Sequence, residues 1–229
     1  LKTLSAIVPM LNEAAAIAST LGALRRGAPD AEIVVVDGGS IDSSVALAQP
    51  LCDAMIGASR GRAHQMNAGA RESHGDVLVF VHADTLVPSS FAADIASALS
   101  DPAVVGGRFD VRLDSATLAY RIIGAMISIR SRISRTGTGD QAIFVRREVF
   151  DRLGGFPDFE LCEDLEFARR LKRAGRVACL RARVTTSARR WNRDGVIRTI
   201  VRMWLIRAMY LMGVAPARLK RMYSDSRQP

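Results

Sequence analysis

The stretch Val77–Thr85, V-L-V-F-V-H-A-D-T, constrains the fold more than any other part of the chain. Its apolar, β-branched run predicts a buried strand over Val77–His82. The run stops abruptly at His82, Asp84 and Thr85. In open α/β sheets ligands sit just past the carboxyl ends of strands, so these side chains stand where a binding crevice is expected. A second strand, Ile33–Val36, ends the same way in Asp37-Gly38-Gly39-Ser40, and an acidic pair, Glu163-Asp164, opens a later helix. Three separate acidic points, two of them at strand ends, suit a phosphate-bearing ligand held through a cation.

Around these points the chain alternates strand and helix. Leu4–Val8 reads as a strand closed by Pro9, with Asn12 as N-cap of a helix over Ala14–Arg25. The next strand, Glu32–Asp37, completes a right-handed, parallel strand–helix–strand unit. A short helix through Ala48, a minor strand at Met55-Ile56 and a helix over His64–Glu72 follow. Arg60 and Arg62 precede that last helix and oppose its dipole; phosphate contact and a solvated basic turn account for them equally. Beyond a helix over Ser89–Leu99 and an extended segment over Val104–Leu113, Thr117–Arg135 carries Leu118, Ile122, Ala125, Met126, Ile129 and Ile133 as one helical stripe. The glycine-rich T-G-T-G-D-Q loop at Thr136–Gln141 then leads into a strand over Ala142–Arg146. Helices over Arg147–Leu153 and Glu163–Ala174 and strands over Val177–Leu180 and Val184–Ser187 complete the regular part.

The last predicted helix, Gly195–Met212, is apolar on two sides. Ile197, Ile200, Val201, Trp204, Ala208 and Leu211 lie on one face, and Val196, Met203, Ile206 and Tyr210 lie nearly opposite, with Arg198, Arg202 and Arg207 between. Such a helix needs two partners: the domain, and either an anionic membrane surface or another subunit. The expected division is a domain over 1–191, with halves 1–114 and 115–191, followed by the C-terminal helix and tail at 192–229.

A net charge of +9 draws the chain to anions without choosing among nucleic acid, acidic lipid and phosphorylated substrate. Three widely spaced cysteines, Cys52, Cys162 and Cys179, show no metal-ligand spacing and fit small buried hydrophobes in a reducing compartment. With no signal-peptide pattern and no apolar run near the ~20 residues of a membrane span, the expectation is a cytoplasmic protein, soluble or on the inner face of the cell membrane.

Several chemistries lack their residues. The histidines have no G-x-S-x-G partner, P-M-L-N-E after the first strand is not a dinucleotide fingerprint, and no P-loop is present. Group transfer from a diphosphate donor fits better. A carboxylate such as Asp84 can hold a divalent cation against the leaving diphosphate, and a second, Asp164 or Glu163, can take the proton of the attacking hydroxyl.

P-M-L-N-E at Pro9–Glu13, V-V-V-D-G-G-S at Val34–Ser40, H-A-D-T at His82–Thr85, E-D-L-E-F at Glu163–Phe167 and R-R-W at Arg189–Trp191 together resemble glycosyltransferase family 2, in order and spacing, over most of the chain. R-T-G-T-G-D-Q and the terminal L-M-G-V-A-P resemble a compact bacterial branch of it. The resemblance implies an α/β GT-A fold with a mostly parallel sheet, a nucleotide-sugar donor and inversion at the anomeric carbon. Carried over by position, Pro9 and Glu13 line the nucleotide, Asp37 bonds the base, and Arg62 lies near the donor phosphates. Asp84 binds Mn2+ or Mg2+, Asp164 is the general base supported by Glu163, and Arg190 and Trp191 flank the diphosphate and acceptor. Gly39, Asn67 and Ala83 complete the expected nucleotide-sugar-binding set. Uridine is the commoner base in such enzymes, guanosine the next.

Two departures stand out. His82 replaces an aspartate usual two residues before the metal ligand, which bears on the tightness of metal binding. Ser187 replaces the glutamine of Q-x-x-R-W, which argues against a processive polysaccharide synthase. The expected acceptor is a hydroxyl, with lipid or lipid-linked acceptors suited to the apolar and basic helices. A nucleotidyltransferase would show a glycine-rich basic loop after the first strand, which is missing. An RNA- or membrane-binding protein on a transferase-like fold is the other alternative, but with 6% aromatic residues the chain has few stacking platforms, so no nucleic acid partner is expected.

Overall fold

A computed structural model describes residues 3–220. One eight-stranded sheet runs through it in the order β3-β2-β1-β4-β7-β6-β8-β5. The strands are β1 (Leu4–Met10), β2 (Glu32–Asp37), β3 (Ala54–Gly57), β4 (Val77–Phe80), β5 (Thr85–Leu86), β6 (Val104–Leu113), β7 (Ile143–Arg146) and β8 (Arg176–Thr186). β3, β2, β1 and β4 are parallel neighbours, β7 pairs antiparallel with β4 and β6, and β8 runs parallel to β6 and antiparallel to β5. The parallel run follows from the strand–helix–strand order, because each helix must cross over the sheet before the next strand can pair.

The helices are α1 (Ile17–Gly27), α2 (Ser44–Ala48), α3 (Arg62–Glu72), α4 (Phe91–Leu99), α5 (Leu118–Ser134), α6 (Arg147–Arg152), α7 (Glu163–Ala174), α8 (Arg189–Asp194), α9 (Val196–Leu211) and α10 (Pro216–Lys220). Both faces of the sheet are covered. Ile17, Leu21 and Leu24 of α1 and Phe91 and Ile95 of α4 pack on one face, and Met66 of α3, Phe150 of α6 and Phe167 and Leu171 of α7 on the other. Each fully buried side chain of this kind contributes about 1.5–3 kcal/mol of transfer free energy.

The structure departs from the sequence expectations at Asn12, in β8, at β5 and on α9. Asn12 is not an N-cap: it sits at φ 52°, its Oδ1 accepts from Ile41 N–H at 2.9 Å, and α1 begins only at Ile17. A left-handed asparagine ties two loops together here rather than starting a helix. The two strand candidates after Gly175 form one strand, β8, because a register shift opposite Phe109 and Asp110 lets it continue past the irregular residues. Thr85-Leu86, outside the strands read from the sequence, pairs with β8.

On α5 the structure shows which residues meet the sheet. Its stripe of Leu118, Ile122, Met126, Ile129 and Ile133 is exposed, and the face against the sheet carries Tyr120, Ile123, Gly124, Ser128 and Ser131. A Cβ at Gly124 would lie 3.0 Å from the Val111 carbonyl, and the Ser128 hydroxyl accepts from Val111 N–H at 3.1 Å. Close approach to β6 thus selects small residues, and the large apolar ones are left outside. On α9, Thr199 and Ile206 are buried and Val196, Ile200, Met203 and Tyr210 half-buried, whereas Ile197, Val201, Trp204, Leu205 and Leu211 are exposed. Ile200 therefore joins the inward face. Among the described residues no helix is long and apolar enough to cross a membrane.

Candidate active site

The carboxyl ends of β1, β2 and β4 converge on one edge, and three local devices hold them there. Gln65 of α3 donates through Nε2 to the carbonyls of Met10 and Val36, both at 2.8 Å, pinning the ends of β1 and β2 together. Asp37 accepts from Gly39 N–H at 3.0 Å, and from the main-chain N–H and hydroxyl of Ser40, so it shapes the D-G-G-S turn. Gly39 itself has φ +91°, a conformation open to glycine at no cost. Pro9 near the end of β1 and Ala83 in the turn after β4 are buried, and the Ala83 carbonyl accepts from the Thr20 hydroxyl at 2.9 Å.

Beside this edge lies a cavity of about 270 Å³ whose wall includes Arg62, Asp84, Asp164 and Trp191. The chain brings them together from four places: the start of α3, the loop after β4, the start of α7, and α8. Asp164 is oriented by two main-chain donors, Gly139 N–H and Leu165 N–H, each at 2.7 Å. The first comes from the T-G-T-G-D-Q loop. A side chain at Gly139 would collide with the ring of His82, so glycine is required for the loop to reach the acid.

Glu163 is buried beside the cavity and is ion-paired with Arg62 at 2.8 Å. Its pKa is raised, first by burial, against the opposing charge of Arg62; the neighbouring Asp164 adds to the rise. That pair gives Arg62 its reason for standing at a helix start. Cys162, at φ 68°, precedes α7, and its thiol is pushed up to about 12 by burial and then by Asp164 and Glu163. It is an inert, protonated neighbour of the acid pair.

The arrangement also contains groups to which the sequence reading gave no role. Arg189 bridges Glu13 and Asp84: it bonds Glu13 Oε2 and lies 3.3 Å from Asp84 Oδ2. Burial alone would lower its pKa, but the hydrogen bond and charge of Glu13, with those of Asp84, raise it. Glu13 is fully buried, so a cation is needed beside it. Arg189 opens the R-R-W stretch, and a second arginine beside the R-W pair at the first turn of a helix was the available signal. The side chain of Arg190 lies outside what the structure describes. Arg130, Asp140 and Arg207 also line the cavity. Asn67 does not: its amide donates to the Phe156 carbonyl at 2.8 Å and accepts from Phe156 N–H at 2.9 Å, holding the turn after α6.

The site thus combines a cavity, an acid oriented by two main-chain donors and a guanidinium between Glu13 and Asp84. The family model described as glycosyl transferase family 2 matches residues 5–155, more than half of the chain. The chain belongs to glycosyl transferase family 2. Solved structures carry the same GT-A fold as this family 2 chain. A mannosyltransferase, PcManGT from Pyrobaculum calidifontis, in complex with GDP-Man and Mn2+, aligns at 21% identity and TM-score 0.68 over 96% of this chain and 68% of that one. S. aureus TarS 1–349 in complex with UDP-GlcNAc aligns at 17% identity and TM-score 0.65. The family 2 chain is covered over 81% there and spans 58% of that TarS chain. No curated protein matches it.

The residues present can be matched to a divalent cation. Among the described residues no three His, Cys, Asp or Glu side chains form a ready-made cage. Asp84 offers a hard oxygen ligand, and the Arg189 guanidinium already places a positive charge between it and Glu13. One carboxylate suits Mn2+ or Mg2+ when phosphate oxygens and water complete the shell.

Proposed function

We propose that the protein transfers one sugar from a nucleoside-diphosphate sugar to a hydroxyl acceptor, with inversion and with a divalent cation. The carrying observation is the cavity that sets Asp164, oriented by two main-chain N–H groups, beside Asp84 of the loop after β4. In this reading Pro9, Glu13, Asp37, Gly39 and Ala83 form the nucleotide side, with Arg62 and Trp191 toward the diphosphate and acceptor. Mn2+ or Mg2+ held by Asp84 would neutralise charge on the leaving diphosphate.

Asp164 takes the proton of the acceptor hydroxyl as its oxygen attacks the anomeric carbon. The bond from that carbon to the diphosphate breaks, and its electron pair leaves with the phosphate oxygen. Attack from the face opposite the leaving group inverts the centre. Glu163, held by Arg62, keeps the start of α7 in place. A lipid or lipid-linked acceptor at the inner face of the membrane fits the exposed apolar residues of α5 and α9, which both contribute to the cavity wall.

The test is the melting temperature with UDP, GDP, TDP, CDP or ADP, each with and without Mn2+. A manganese-dependent rise with one nucleotide, lost in Asp84→Ala, is expected. No rise with any of them would overturn the reading.

A further inference from the structure

The cavity extends beyond the groups that this transfer uses. Near Asp164 it holds Arg130 from α5 and Arg207 from α9. The Nε and Nη2 groups of Arg130 are buried and have no hydrogen-bond partner among the described residues. Arg207 donates through Nη2 to the Thr136 hydroxyl at 3.1 Å. Burial lowers the pKa of both arginines, with Asp140 and Asp164 opposing at Arg130, and Asp164 and Cys162 at Arg207. Asp140 is itself raised, chiefly by burial, and its carboxylate is bonded by the Thr138 hydroxyl. Asp164 already accepts two main-chain hydrogen bonds. A buried guanidinium with unmade hydrogen bonds is costly, and an oxyanion matches its planar fork best.

Between α5 and α9 the wall is apolar, with Ile123 and Ile127 from α5 and Ile200, Met203, Trp204 and Ile206 from α9. A small polar acceptor would leave that wall unused. A neutral lipid alcohol would leave the Arg130 donors unmade.

We infer that the acceptor is an anionic amphiphile, its phosphate held by Arg130 and Arg207, its hydroxyl toward Asp164 and its hydrocarbon between α5 and α9. The inference rests on the transferase reading and narrows it to one acceptor class.

The chain has two tryptophans, and both Trp191 and Trp204 line the cavity, so intrinsic fluorescence reports its occupancy. The full chain is titrated with dodecyl phosphate, dodecanol and glycerol phosphate at monomeric concentrations. Dodecyl phosphate is expected to bind about tenfold more tightly than either of the others. Arg130→Gln weakens it by about tenfold without changing dodecanol, and Arg130→Lys recovers part of the loss. Arg207→Gln, checked for folding by its melting temperature, gives the same direction through an independent residue. Equal binding of dodecanol would remove the anion from the inference, and equal binding of glycerol phosphate would remove the hydrocarbon. Unweakened binding in both arginine variants would overturn it entirely. If nucleotide with Mn2+ raises the melting temperature but dodecyl phosphate does not bind, this inference fails and the transferase reading stands. If neither binds, both fail.

Discussion

Arg189 occupies a position where the chemistry calls for a cation, between a fully buried glutamate and the carboxylate at the end of the β4 loop. It neutralises Glu13 and keeps Asp84 from facing a like charge alone. A divalent cation approaching Asp84 must share that carboxylate with the guanidinium or displace it. Arg189→Gln is therefore expected to bind Mn2+ about tenfold more tightly without nucleotide, the effect of about 1.4 kcal/mol of relieved competition. Electron paramagnetic resonance of free Mn2+ reads this directly. Unchanged affinity would mean that Asp84 does not ligate the metal. Gly139 illustrates the other residue-level constraint: the absence of a side chain lets its N–H reach Asp164 past His82.

α9 is held to the body by a few polar contacts as well as by its apolar face. Arg193 of α8 donates through Nε to Asp194 Oδ1 at 2.8 Å, and Arg202 of α9 bonds Asp194 Oδ2. Tyr210 donates to Glu166 of α7 at 2.7 Å. The hydrogen bonds from Arg193 and Arg202 hold the Asp194 carboxyl down from 3.8 to about 2. A carboxyl depressed in the folded state contributes its stability in full above its unfolded pKa and loses it as the pH falls through its folded value. Hydrogen-exchange protection of α9 should thus decline between about pH 4 and pH 2. In Asp194→Asn the protection should already be reduced at neutral pH. Equal protection in variant and wild type at pH 7 would sink this account of α9.

The molecule as a whole carries +9 and leaves its large exposed apolar side chains concentrated on two helices. Ile133 is 80% exposed and Ile129 56% on α5; Ile197 is 78% and Trp204 57% on α9. Apolar surface of this extent combined with excess positive charge suits an anionic bilayer. Co-sedimentation with vesicles rich in phosphatidylglycerol should be strong for the wild type and several-fold weaker in the double variant Ile133→Glu, Ile197→Glu. Both positions are solvent-facing, so the variant should melt as the wild type does. Undiminished sedimentation would leave the membrane reading without its apolar contact.

The α/β class, the parallel pairing of β1 with β2 and the acidic residues at or just past strand ends were legible in the sequence, because apolar periodicity and turn residues act locally, whereas the mostly parallel sheet followed from the family resemblance. The order of motifs from Pro9 to Trp191 carried the family. Which face of α5 meets the sheet was not legible: its stripe of isoleucines is exposed, since Gly124 and Ser128 allow an approach that larger residues forbid. The gap between two strand candidates was bridged by a register shift that only pairing with β6 reveals. The Arg189 bridge, the Arg62–Glu163 pair and the Arg130–Arg207 end of the cavity each join residues from distant elements. Sequence determines which side chains exist and what period they follow; which charges end up sharing one low-dielectric space is set by how the elements cross, and only the tertiary structure decides that.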